Sequence, residues 1–442
     1  MDFCSATIVR KDAELGDLLS KDLFGHEVVI KGNVHSITDL GEIKFITLRK
    51  REGLIQCVAD DLTLKKLPAI KEGMSVTITG TLRKEERARG GIEITIKEID
   101  ILSEPKMSMP LSISKWKLNT SLEAKLDYRT VSLRNIRERA KFKIQEGIER
   151  AFRQYLESQG FTGIHTPKIG AKGAEGGANI FKLDYFHRPA VLAQSPQFYK
   201  QIMVGVFDRV YEVGPVFRAE KHNTKRHLNE YTSLDFEMGF IEDFSELMEM
   251  ETGFLKYMVE LLKKDYSKEI KILNVELPVI DKIPCIRFDE VKSLVSKEYN
   301  RQIKSPYDLE PEEESLIGKY FKEKYNSDFV FVTHYPSKKR PFYAMDDPDD
   351  ETYTLSFDLL YNGMEVTTGG QRIHDYDMLR DKIRRRGMQT DGLEKYLETF
   401  KYGMPPHGGL GAGLERLTMQ LLGEDNVRAT TLFPRDMSRL VP

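Results

Sequence analysis

The chain has 442 residues, 40% of them hydrophobic and 31% charged, which suits a packed globular protein with more than one core and excludes a disordered or fibrous chain. Lys and Arg number 67 against 69 Asp and Glu, a formal net charge of -2, so any contact with nucleic acid must come from local basic patches rather than a global positive field. The three cysteines, Cys4, Cys57 and Cys285, lie far apart without CxxC or Cys/His spacing, and neither a signal-peptide core nor an 18-residue apolar stretch occurs, so a cytoplasmic protein without disulfide framework or zinc site is expected.

From about residue 26 to 103 the chain reads as short strands at 28–30, 43–48, 54–58, 76–78 and 92–96, with turn glycines at Gly41, Gly53, Gly80 and Gly90-Gly91. Five such strands predict a small β-barrel as the first domain, residues 1–103. Residues 104–132 carry Pro105 and Pro110 among serines and methionines, with no sustained period, and read as a linker or hinge. Ile136, Ala140, Ile144, Ile148, Ala151, Phe152 and Tyr155 then recur at helical spacing up to Gly160. They predict an amphipathic helix of roughly six to seven turns opening a second domain, residues 133–442. Beyond it, strands at 209–213, 234–240 and 357–360 mix with helices near 243–264 and 312–325 without a βαβ rhythm, which predicts an α+β domain on an antiparallel sheet. No GxxxxGK[ST] occurs, so a nucleotide must be held otherwise than by a P-loop.

Two segments carry chemistry. Phe217-Arg218-Ala219-Glu220, followed by Lys221 to Lys225 and Arg226-His227-Leu228, puts arginines at both ends of a polar loop between apolar strands. Arginine forks bind phosphate or carboxylate through parallel charge-assisted bonds, although the loop alone fits an exposed charged hairpin equally well. In Gly409-Leu410-Gly411-Ala412-Gly413-Leu414-Glu415-Arg416-Leu417, a strand with alternate glycines runs into a helix. The glycines allow a flat ring near the backbone, and Arg416 offers a planar cation.

Taken together, FRAE with RHLNE resembles motif 2 of the class II aminoacyl-tRNA synthetases, and GLGAGLERL resembles their motif 3, in the family's order and spacing. Pro167 in His165-Thr166-Pro167-Lys168, directly after the long helix, matches the motif 1 proline, which lies at the family's dimer interface. From about residue 25 to its end the chain is similar to the aspartyl enzymes of archaeal type, which join an N-terminal OB-fold to the catalytic domain, and the closing LFPRDMSRLVP resembles their ending.

The resemblance implies ATP-dependent activation of L-aspartate to aspartyl-adenylate and transfer to the 3′ end of tRNA(Asp), with tRNA(Asn) as a second acceptor in non-discriminating members, by a homodimer. It implies catalytic roles for Arg218 and Arg416, and aspartate binding by Glu175, Ser195, Gln197, Lys200, Arg218, Asp235, Thr368 and Arg372. Within that set Lys200 and Arg372 would meet the side-chain carboxylate, while Asp235 and Glu175 would bind the α-ammonium or close a loop over it. Asparagine would leave the two cations unpaired, a penalty on the order of 2 to 5 kcal/mol.

ATP is expected at Arg218, Ala219, Glu220, Arg226, His227, Leu228, Glu365, Gly413, Leu414, Glu415 and Arg416, with Mg²⁺ held by Glu365 and Thr368, where the archaeal type commonly has Ser. In the OB-fold the resemblance implies anticodon reading by Phe45, Gln56 and Glu93, while Arg83, Lys84, Arg87 and Arg89 flank the last strand and fit either a track for the phosphate backbone or a solvated charged loop. Asn33 and Arg87 stand where strict and relaxed enzymes differ; Asn33 matches neither type and Arg87 leans towards the strict one. An asparaginyl-tRNA synthetase and a non-catalytic RNA-binding paralogue are the alternatives on the same fold.

Overall fold

A computed structural model describes residues 10–19, 23–173, 179–221 and 224–441, and the chain divides into two compact units, 1–139 and 140–442. Glu175 falls outside the described residues.

In the first unit the strands are Glu27–Asp39, Ile43–Arg49, Leu54–Asp60, Ser75–Lys84 and Ile92–Ser103. The first pairs antiparallel with the second and the fourth, the second with the third and the fourth with the fifth, while the third runs parallel to the fifth, so each strand has two neighbours. Ser75–Lys84 shows why these residues form strands: Val76, Ile78, Gly80 and Leu82 face inward, and the residues between them face outward. The inward set joins Ile30, Val34, Ile46, Leu48, Cys57 and Ile94 in one core. At Gly80 a Cβ would lie 2.3 Å from the Thr95 carbonyl oxygen, and the register shifts beside it, so glycine permits the close strand approach at this irregularity.

The expected hinge at 104–132 is not featureless. Leu122–Asp127 and Arg129–Ser132 are short helices, the first capped by Ser121 Oγ, which accepts the Ala124 N–H at 3.2 Å. Asn135 Nδ2 donates to the carbonyls of Ile113 and Lys115 at 2.9 and 2.7 Å. Caps and side-chain bonds order this stretch, and they leave no hydrophobic period in the sequence.

The second unit is built on an eight-stranded sheet in the order Cys285–Arg287, Phe329–Thr333, Ser356–Tyr361, Met364–Arg372, His407–Gly413, Glu230–Gly239, Arg209–Phe217, Thr162–Gly163. All neighbours are antiparallel except the outermost pair at each edge. Leu234, Phe236, Met238, Leu410 and Ala412 point to one face, where they pack with Ile144, Ile148 and Phe152 of the Ile136–Ser158 helix and with Leu255, Met258 and Leu262 of the Ser245–Asp265 helix. The alternate residues Ser233, Asp235, Gly411 and Gly413 point to the opposite face, which lines a cavity. Among the described residues no helix is long and apolar enough to cross a membrane.

One carboxyl is buried beneath this sheet. Glu251, on the Ser245–Asp265 helix, is 1% exposed, and burial, with nearby Asp358 adding to it and a Thr367 hydrogen bond opposing it, pushes its pKa up to about 8. The folded value lies above the unfolded one, so the neutral form stabilises the fold; that contribution is complete below pH 4.5 and is lost as pH rises through about 8. The melting temperature of the Glu251→Gln variant is therefore expected to fall less than that of the parent between pH 6 and pH 9. An identical fall in the two proteins would show that Glu251 does not titrate as described.

Candidate active site

The cavity measures about 1260 Å³. At one end lies Lys200, on the Gln197–Phe207 helix and 2% exposed. Its ammonium donates to Asp235 Oδ1 at 3.1 Å and to the carbonyls of Leu410 and Phe236 at 2.8 and 3.4 Å, and it stands 3.3 Å from Glu237 Oε2. Arg372, closing the Met364–Arg372 strand, donates Nε to Glu237 Oε1 at 2.8 Å and Nη2 to the Gly409 carbonyl at 2.9 Å. Burial alone would raise the Glu237 carboxyl, but Arg372 and Lys200 more than offset it and hold it below the usual range.

Both cations expected to meet a substrate carboxylate have carboxylate partners in the wall, Lys200 with Asp235 and Glu237 and Arg372 with Glu237. Glu237 escaped the sequence reading, although two carboxylates two residues apart on one face of an otherwise apolar strand are an available signal. Asp235 Oδ2 is buried with no hydrogen-bond partner, which leaves an acceptor for an ammonium group.

The glycines of the His407–Gly413 strand also divide by role. A Cβ at Gly409 would lie 2.1 Å from the Phe236 carbonyl oxygen and 2.3 Å from Glu237 Oε2, so this glycine is required by the neighbouring strand's backbone and the Glu237 carboxylate. Gly411 and Gly413 are the ones that face the cavity.

Beside Lys200, the Gln197 N–H donates to Ser195 Oγ at 3.3 Å and Gln197 Nε2 donates to Gln201 Oε1 at 3.1 Å. Gln201 Oε1 also accepts the Tyr396 hydroxyl at 3.0 Å, and Gln201 Nε2 lies 2.9 Å from His407 Nε2. Burial holds the His407 pKa at about 4, so at neutral pH the ring is uncharged. With Pro405 O 2.8 Å from Nδ1, a proton on Nδ1 leaves Nε2 to accept from Gln201. The chain of bonds fixes Gln197 at the cavity wall.

The other end of the cavity is built by the turn between Arg209–Phe217 and Glu230–Gly239 and by the Leu414–Leu422 helix. The Ala219 N–H donates to Asn179 O at 3.1 Å, and Asn229 Nδ2 donates to the carbonyls of Arg218 and Glu220 at 2.8 and 3.1 Å. Arg218 sits over the Tyr231 ring at 5.9 Å. Arg416 donates Nε to Arg226 O and Nη1 to Glu365 O, both at 3.1 Å. Burial, with Arg416 next, lowers the His227 pKa. Thr368 Oγ1 donates to Glu365 Oε1 at 3.2 Å, so two hard oxygen donors from one strand meet at the cavity surface.

Ser195, Gln197, Lys200, Arg218, Glu220, Arg226, His227, Leu228, Asp235, Glu365, Thr368, Arg372, Gly413, Glu415 and Arg416 all line this one cavity. Leu414 does not: its side chain lies in the core beneath the sheet, so it can meet a nucleotide only through its backbone. Ala219 likewise offers backbone, and its N–H is already bonded. Glu415 is buried, accepts the Thr232 N–H at 3.1 Å with both oxygens, and is pushed up to about 7 by that burial. Arg340, which stands in no recognisable motif, reaches the wall from a loop, donates to Asp358 Oδ1 at 2.7 Å and lies over the Tyr335 ring at 3.9 Å.

In the first unit, Gln56 and Glu93 are register partners on parallel strands and Arg83 opposes Glu93 on the other side. Gln56 Nε2 donates to Glu93 Oε2 at 2.8 Å and Arg83 Nε donates to Glu93 Oε1 at 2.7 Å. Arg83 is therefore tied to a buried carboxylate. Phe45 is half-buried on the adjoining strand. Asn33 and Arg87 make separate contacts, Asn33 accepting from Ser75 Oγ at 3.0 Å and exposed Arg87 donating to Glu85 at 3.2 Å.

Replacing Lys200 with Met would leave Asp235 and Glu237 short of a countercharge inside the sheet. Urea unfolding is expected to show a loss of about 3 kcal/mol or more. The double variant Lys200→Met/Glu237→Gln should recover part of it, and a recovery of zero would mean that the two groups do not interact.

Residues 121–437 match the family model for class II tRNA synthetases (D, K and N), and residues 28–102 match that for the OB-fold nucleic acid binding domain. The chain is 46% identical over 433 residues to the aspartate–tRNA(Asp/Asn) ligase of Deinococcus radiodurans, covering 96% of this chain and 98% of that one. It is 41% identical over 431 residues to the aspartate–tRNA(Asp) ligase of Pyrococcus abyssi, with coverage of 96% and 98%. Among solved structures it resembles the asparaginyl-tRNA synthetase of Pyrococcus horikoshii complexed with asparaginyl-adenylate, at TM-score 0.89 and 30% identity over 98% of this chain and 100% of that one. The aspartyl-tRNA synthetase of Entamoeba histolytica matches at TM-score 0.86 and 30% identity, with coverage of 98% and 93%. With both units accounted for, the chain belongs to the class II tRNA synthetases of the D, K and N group and, within them, to the aspartate–tRNA ligases.

Proposed function

We infer that this chain activates L-aspartate with ATP and transfers the aspartyl group to the 3′ end of tRNA(Asp). The observation that carries the reading is the single cavity with a buried Lys200, Asp235, Glu237 and Arg372 cluster at one end and Arg218, Arg226 and Arg416 at the other. Aspartate brings a second carboxylate to the first end, where Lys200 and Arg372 are the cations, and its α-ammonium meets the open oxygen of Asp235, with Glu175 as a second acceptor. Asparagine brings a neutral amide to the same place. The curated relatives at 39 to 46% identity over nearly the whole chain are aspartate–tRNA ligases, which favours aspartate.

The α-carboxylate then faces the α-phosphate of a bent ATP, attacks it in line and releases pyrophosphate. Arg218 and Arg416 neutralise the charge that builds on the phosphates, and positioning supplies the rest. Glu365 and Thr368 would hold Mg²⁺, whose bound form adds charge neutralisation at the phosphates. No side chain serves as nucleophile, because the terminal adenosine of the tRNA carries its own hydroxyl.

Phe45, Gln56 and Glu93 read the anticodon, with Asn33 and Arg87 bearing on isoacceptor choice. Similarity at 46% identity to relatives named for tRNA(Asp/Asn) supports charging of tRNA(Asn) as well. A cytoplasmic homodimer is the working form, and exposed Pro167 and Ile169 give the motif 1 surface for it.

Aspartate charging of two transcripts, with the aspartate and the asparagine anticodon, tests this directly. Charging of both is expected; charging of the first alone makes the enzyme strict, and charging of neither overturns the assignment. Arg218→Ala should lower aspartate-dependent ATP–pyrophosphate exchange by about 100-fold or more.

A further inference from the structure

We propose that Glu314 is a positioning residue for the ATP end of the cavity, holding Arg226 and the Glu365 backbone in one fixed arrangement. The proposal rests on the reading that Arg226 and Glu365 face ATP.

Glu314 lies in the first turn of the Pro311–Tyr325 helix, outside both motif segments, and is 8% exposed. A single oxygen, Oε2, accepts from Arg226 Nη1 at 2.7 Å and from the Glu365 N–H at 3.4 Å. Arg416 grips the same two residues from their other side, donating to Arg226 O and to Glu365 O. Each of the two is thus held at two points, Arg226 by its guanidinium and its carbonyl, Glu365 by its N–H and its carbonyl.

The helix that carries Glu314 is itself locked to the strand that carries Glu365. A Cβ at Gly318 would lie 2.3 Å from the Gly363 nitrogen, and one at Gly363, whose φ is +72°, would lie 2.7 Å from Ser315 Cα. Backbone therefore rests on backbone two residues before Glu365, a contact only a glycine pair permits. The adjacent Glu313 is used differently: it caps the helix through the Glu310 N–H at 2.8 Å and pairs with Lys292 at 2.6 Å. Glu313 anchors the helix, and Glu314 passes that rigidity to the site.

The consequence is chemical. An arginine has five donors, and binding one Nη1 to Glu314 restrains a long side chain while leaving the remaining N–H groups for phosphate oxygens. Without Glu314, Arg226 must be ordered by the nucleotide itself, and the lost rotamer freedom weakens ATP binding.

Aspartate-dependent ATP–pyrophosphate exchange and ATP binding by calorimetry, with and without Mg²⁺, test this on the full chain. Glu314→Ala is expected to raise the KM and the Kd for ATP by about tenfold while the KM for aspartate stays within about twofold, and Glu314→Gln, which keeps an acceptor, should fall between. Gly318→Ala, which retains the carboxylate but pushes the helix off Gly363, should shift ATP in the same selective way. An unchanged Kd for ATP in Glu314→Ala, or equal shifts for both substrates, overturns the proposal. Parent protein that binds ATP but shows no aspartate-dependent exchange overturns the assigned reaction and leaves Glu314 to be judged by the binding data; parent that binds no ATP overturns both.

Discussion

Four charged side chains, Lys200, Asp235, Glu237 and Arg372, lie inside the catalytic sheet with almost no access to water, and the central strands are arranged around keeping them mutually neutral. A charge moved alone into such a place would be neutralised or expelled; as two cations and two carboxylates with carbonyls filling the remaining bonds, the set is stable there. At Gly409 the Phe236 carbonyl and Glu237 fill the space a side chain would need, and the strand register brings Gly411 opposite Asp235 and Gly409 opposite Glu237.

The opposite end of the cavity follows another logic. Its arginines come from a turn and from the start of a helix, and carbonyls and carboxylates together hold them: Arg416 bonds two carbonyl oxygens and stands 3.6 Å from Glu365 Oε1, while Arg226 bonds Glu314. Burial pushes the carboxyls of Glu415 and Glu314 up to about 7, while Glu220 and Glu365 stand among the arginines at the cavity wall. Three arginines gathered at one end of a cavity can take a ligand with several anionic oxygens.

The OB-fold unit repeats the first device on a smaller scale. Glu93 is 2% exposed yet polar partners reach it from both flanking strands, because Gln56 and Arg83 are its register neighbours. A carboxylate pinned between an amide and a guanidinium presents a fixed edge.

Much of this was legible in the chain itself. Alternation such as that of Ser75–Lys84 and the helical recurrence from Ile136 onward are local consequences of period, and they declare a small β unit followed by an α+β unit. The FRAE and GLGAGLERL segments mark a charged turn and a strand-to-helix junction, and the two stand at one cavity. What the linear order could not reveal is which charges meet. Glu237 is partnered by a lysine 37 residues before it and an arginine 135 residues after it, Arg83 by a carboxylate across a sheet, and Glu314 by an arginine 88 residues away. Register and helix packing settle such pairings, and a buried charge is tolerated only where the fold has already delivered its partner.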